Sequence, residues 1–119
     1  MTHEKLKDKI RGSLVGGAIG DAFGYPVEFV SSFEEIRAKY DDNGIVEYDL
    51  SYPWLEETFD KALFSDDTQM TLYTAEGLFE SEKTGVPLIP TICNAYLAWM
   101  GPQIGKKVKI GFNIWSRRA

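Results

Sequence analysis

Residues 4–28 read EKLKDKIRGSLVGGAIGDAFGYPVE. Leu6, Ile10 and Leu14 recur every four residues and Ala18 continues the stripe, a spacing that predicts a helix over 4–20. Four residues advance slightly more than one turn, so the stripe drifts slowly around the helix. Its end is crowded with Gly16, Gly17, Ala18 and Gly20. Glycine in a helix interior costs about 1 kcal/mol relative to alanine. A run of this kind therefore predicts the close approach of another helix or of a ligand. Gly24-Tyr25-Pro26 reads as a turn, and Glu28 follows it.

Further along, Ser32 stands three residues before Glu35, a capping-box spacing that starts a second short helix. Asp41-Asp42-Asn43-Gly44 ends it in a turn. Residues 45–64 read as irregular, with Ile45-Val46-Glu47-Tyr48 a weak strand. Tyr52-Pro53-Trp54 fits a surface insertion near a site better than a core element. A third helix starts at Asp66 or Asp67 and runs to about Glu80, with Met70, Tyr73, Gly77 and Leu78 on its inner face. Gly85-Val86-Pro87 separates it from a fourth over about 88–100, where Ile89, Ile92, Tyr96 and Trp99 form one apolar stripe. Gly101-Pro102 is expected to break that helix. The whole reads as an all-α bundle with long loops.

The chain has 119 residues, 44% of them apolar and 26% charged, an ordinary globular composition. The N-terminus carries no apolar leader, and no stretch approaches the roughly 20 apolar residues that span a bilayer. One cysteine, Cys93, excludes an internal disulfide and reads as a small buried hydrophobe. The only histidine, His3, lies near the N-terminus, so no Cys–His pair is expected. A reducing cytoplasm is the expected compartment. Residues 1–82 hold all 18 acidic and seven basic residues, whereas residues 83–119 hold six basic residues and no acid. An acidic half of this kind is a poor nucleic-acid surface and a plausible place for cations. No nucleic-acid or membrane partner is expected.

Two clusters carry chemistry. In the first, Asp21 ends a glycine-rich helix and Glu28 follows a turn, which sets carboxylates beside a stretch without bulky side chains. The competing reading is that the glycines pack a helix crossing and Asp21 caps the turn. In the second, Ser65-Asp66-Asp67-Thr68 places four oxygen-bearing side chains at a helix start. One such residue suffices as a cap. Two adjacent carboxylates repel unless something positive lies near, and a helix N-terminus supplies only about half an elementary charge. A hard divalent cation prefers oxygen ligands of this type. The glycine run is no phosphate loop, because it follows a helix and lacks Gly-Lys-Ser/Thr.

The two clusters in this order resemble the ADP-ribosylglycohydrolase family. Gly20 to Glu28 matches its Gly-Asp-Ala-x-Gly-x-Pro-x-Glu pattern, and Ser65 to Thr68 matches its Ser/Thr-Asp-Asp-Thr, with Gln69-Met70 continuing it. The resemblance covers residues 5 to about 100. It implies an all-α fold with a two-metal centre, Mg²⁺ or Mn²⁺. By position it makes Ser65, Asp66 and Asp67 metal ligands and Glu28 an acid near the metals with a catalytic or substrate-gating role. Gly20, Asp21, Gly24 and Thr68 become supporting residues. It implies hydrolysis of the glycosidic bond of ADP-ribose on a protein or small-molecule substrate.

The family's second acidic motif, Asp-x-Asp-Thr, is absent, since no acid follows Glu82. Residues 1–100 are therefore expected to be the N-terminal portion of such a domain, and 101–119 an atypical basic tail on an apparently truncated chain. A catalytically incomplete metal- or ADP-ribose-binding module is the alternative. A homo-oligomer or a complementing C-terminal piece is expected to cover Met70, Ile89, Ile92 and Trp99.

Overall fold

The computed structural model of the chain describes residues 1–52, 54–55 and 59–105. They form four helices: α1 (His3–Gly24), α2 (Phe33–Tyr40), α3 (Asp66–Thr84) and α4 (Leu88–Gly105). A short 3-10 turn, Tyr25–Val27, follows α1. No strand occurs among the described residues, so the fold is all-α. None of these helices is long and apolar enough to cross a membrane. The chain divides into two compact units, Met1–Ser65 and the part beginning at Asp66.

In the first unit, α1 runs four residues beyond the expected end at residue 20, through its glycines to Gly24. Thr2 caps it, its hydroxyl accepting from the Lys5 amide. A Cβ built on Gly16, Gly17, Gly20 or Gly24 meets no atom within 4 Å. Leu6 and Ile10 are exposed. Ser32 caps α2, accepting from the Glu35 amide at 3.2 Å. The helix stops at Asp41, whose φ of 59° lies in the left-handed region.

Residues 45–48 form no strand. Instead, Tyr48 packs its ring on Phe23, with centroids 4.3 Å apart. Tyr52 and Trp54 are not a surface insertion. Tyr52 is only 5% exposed, and its ring meets Tyr25, Trp54 and Phe59. Trp54 also meets Tyr25 and Phe29. Aromatic residues bury more area than any others, and tilted or edge-on pairs add to that. A loop without regular hydrogen bonds can thus supply the core of this unit. The Tyr52 hydroxyl accepts from the Leu63 amide at 2.8 Å, which fastens the end of the loop. Pro53 lies outside the described residues.

The second unit is a helical hairpin of α3 and α4. Gly77 is buried where the two helices meet. Leu78, expected beside it, is 46% exposed because it lies off that contact line. On α4, the packed residues are Thr91 and Ala95, both buried, with Ile92, Tyr96 and Trp99 half-buried. Ile89 was expected in the same stripe but is 77% exposed. Cys93 is exposed rather than buried, because it falls on the opposite side of the helix from Thr91 and Ala95. The helix also passes through Gly101 and Pro102 to Gly105. A proline so near a helix end removes only one late hydrogen bond. Pro90 lies in the first turn, where the missing N–H costs nothing.

Candidate functional site

Glu28 lies at the end of the 3-10 turn, where its amide donates to the Tyr25 carbonyl at 3.2 Å. Pro26 is fully buried in that turn and Tyr25 is 7% exposed. Glu28 itself is exposed. The buried Tyr25-Pro26 pair thus holds the backbone just before the exposed Glu28.

Asp21 lies one turn before the end of α1 and is half-buried. Its Oδ2 accepts a hydrogen bond from the Ser65 amide at 2.9 Å. This joins the glycine-rich motif to the first residue of Ser65–Thr68, 44 positions away. Ser65 is 2% exposed. Sequence reasoning paired neither residue with the other, since only the folding of the 29–64 segment brings them together.

Asp66 and Asp67 open α3 and are both exposed, whereas Thr68 is 8% exposed. The Asp67 carbonyl accepts from the Thr71 hydroxyl at 2.9 Å. Two adjacent carboxylates beside a hydroxyl are a hard-oxygen donor set. Mg²⁺ is commonly held by one or two carboxylates with waters filling the remaining positions. The donors present therefore fit such an ion in kind. Among the described residues, no three acidic, histidine or cysteine side chains converge closely enough to hold a metal by themselves. The expected ligand set thus rests on Asp66, Asp67 and the Ser65 oxygen. A Cβ built on Gly20 or Gly24 meets no atom of the described residues within 4 Å.

Two polar links in α3 and α4 escaped the sequence reading. The Trp99 indole donates to Gln69 Oε1 at 3.0 Å. Thr74 and Tyr96 join their hydroxyls at 2.7 Å. Met70, Cys93, Tyr96, Leu97, Trp99 and Met100 line an open apolar groove of about 360 Å³. Gln69 directly follows the Ser-Asp-Asp-Thr stretch, so its bond to Trp99 ties the first turn of α3 to α4. The spacing Gln69–Trp99 carries no local signal that could have revealed this.

Comparison with known proteins gives one result. The ADP-ribosylglycohydrolase family model matches residues 2–119, and the match includes the stretch 101–119 that reads as atypical in the sequence. No curated protein and no solved structure matches the chain. The helical architecture, the glycine-rich motif ending in Asp21 and the acidic start of α3 agree with that match, and the chain belongs to the ADP-ribosylglycohydrolase family.

Proposed function

We propose that this chain takes part in metal-dependent hydrolysis of the glycosidic bond of ADP-ribose on a protein or small-molecule substrate. The observation that carries the reading is the Asp21–Ser65 hydrogen bond. It joins the two family motifs at the point where the acidic pair begins.

The bond broken joins C1″ of the ribose to an arginine nitrogen or to a serine or other oxygen. Water adds its oxygen to C1″, and the leaving nitrogen or oxygen takes a proton. Positive charge develops on the sugar along the way, as in other glycosyl transfers. Ser65, Asp66 and Asp67 would hold Mg²⁺ or Mn²⁺, which supplies orientation of ribose hydroxyls and a more acidic water. Glu28, exposed on its rigid turn, is suited to give or take the proton. The buried Tyr25 and Pro26 fix the backbone that leads into it.

A second reading has its own support. The chain carries no acid after Glu82, so the family's second acidic motif has no counterpart. On this second reading the chain is a catalytically incomplete metal- or ADP-ribose-binding module. Release of free ADP-ribose from an ADP-ribosylated protein separates the two. Mg²⁺-dependent release that is lost on Glu28→Gln supports catalysis. Mg²⁺ binding without release supports the binding module.

A further inference from the structure

We infer that Asp21 is a positioning residue for the Ser65-Asp66-Asp67 cation site, acting as a long-range partner in a capping box; this rests on the metal reading above. In an ordinary capping box, the third helical residue is Glu or Gln and accepts from the backbone N–H of the N-cap residue. At the start of α3 the N-cap position is Ser65, and the third helical position is Thr68. No Glu or Gln stands there. Asp21 Oδ2 takes that role from 44 residues away, accepting from the Ser65 amide at 2.9 Å.

The setting gives the bond weight. Ser65 is 2% exposed, so its amide has little access to replacement water. A buried donor that loses its acceptor bears the full cost of desolvation. The bond is also charge-assisted, which makes it stronger than an amide–carbonyl pair. Asp66 and Asp67 follow Ser65 directly in the chain, so a fixed Ser65 backbone fixes where the acidic pair begins. Partners of metal ligands typically govern affinity by about 10–100-fold.

The test uses the 119-residue chain with Asp21→Ala and Asp21→Asn. Mn²⁺ affinity is read from the electron paramagnetic resonance signal of the free ion. Amide hydrogen exchange is read at Ser65 and, as a control, at Ala75 in the middle of α3. The expected result is Mn²⁺ binding weakened about tenfold or more by Asp21→Ala. Asp21→Asn keeps an amide oxygen as acceptor and loses less. Exchange at Ser65 accelerates in both, and exchange at Ala75 does not change. Faster exchange with unchanged Mn²⁺ affinity makes Asp21 merely structural and overturns the inference, as does unchanged exchange. If the unmutated chain binds no Mn²⁺, the metal reading falls and the positioning role falls with it, whatever the exchange at Ser65; Mn²⁺ binding that Asp21→Ala leaves unchanged overturns the positioning role alone. Asp21→Asn is the deciding variant if Asp21→Ala does not fold.

Discussion

A Cβ placed on Gly77 would stand 2.8 Å from the Cα of Ile92 and 3.0 Å from its amide nitrogen. These are backbone atoms, so no side-chain rotation relieves the contact. Gly77 is therefore what lets α3 and α4 pack face to face, and its φ lies in the ordinary helical range.

Two glycine substitutions should consequently act in opposite directions. Gly77→Ala gains about 1 kcal/mol of helix propensity. It forces the helices apart, at a cost of about 1–3 kcal/mol or more for overpacking. The net expectation is a lower melting temperature. Gly16→Ala meets no atom of the described residues within 4 Å, so the propensity term leads and the melting temperature should rise. Thermal melts followed by circular dichroism check both. A stabilised Gly77→Ala variant would contradict the packing described.

The hydroxyls of Thr74 and Tyr96, 2.7 Å apart, should be energetically coupled. Thr74→Val and Tyr96→Phe each remove one partner while keeping most of the volume. A double-mutant cycle in urea is expected to give a coupling of about 0.5–1.5 kcal/mol, the net worth of a typical hydrogen bond. Strictly additive effects would mean that the two hydroxyls do not depend on one another.

Much of α2's attachment is electrostatic and should be visible as a pH effect. Asp49 receives hydrogen bonds from Lys39, Tyr40 and the Ser51 amide. Burial pushes its carboxyl up, but these bonds outweigh that and hold it well below the ordinary 3.8. A carboxyl depressed on folding stabilises above its unfolded value and loses that contribution as pH falls through the folded one. The stability advantage of the unmutated chain over Asp49→Asn should therefore be full at neutral pH and shrink below about pH 4. At the alkaline end, burial pulls Lys39 down, yet Asp49 and Tyr40 bring it above its ordinary 10.5. Its contribution is present below that value and disappears as pH rises further. Denaturant melts at several pH values test this. A difference between the two proteins that stays constant from pH 7 to pH 3 would contradict it.

The sequence announced elements with local signals and hid those made by distant partners. The Ser32–Glu35 cap and the start of α3 at Asp66 were legible because capping chemistry is confined to four residues. The ends of helices were less so. Gly24 and Pro102 are poor helix residues that the surrounding turns nevertheless carry. Tyr52 and Trp54 looked like a surface loop because aromatic packing has no period; only their contacts with Tyr25 and Phe29 reveal a core. Within the candidate site, Asp66, Asp67 and Glu28 were recognisable as motif residues. The bond from Ser65 to Asp21 was not, since nothing in a linear spacing of 44 residues marks it.

The central claim is that Asp66 and Asp67 are ligands rather than a solvated cap, and metal-dependent melting tests it most directly. A ligand that binds the folded state raises stability by RT ln(1 + [L]/Kd), about 2.7 kcal/mol at a hundredfold excess over Kd. The account predicts that millimolar Mg²⁺ or Mn²⁺ raises the melting temperature of the chain, and that Asp66→Asn combined with Asp67→Asn abolishes the rise. An unmutated chain whose melting temperature does not respond to either ion, or a double variant that responds as the unmutated chain does, would contradict it.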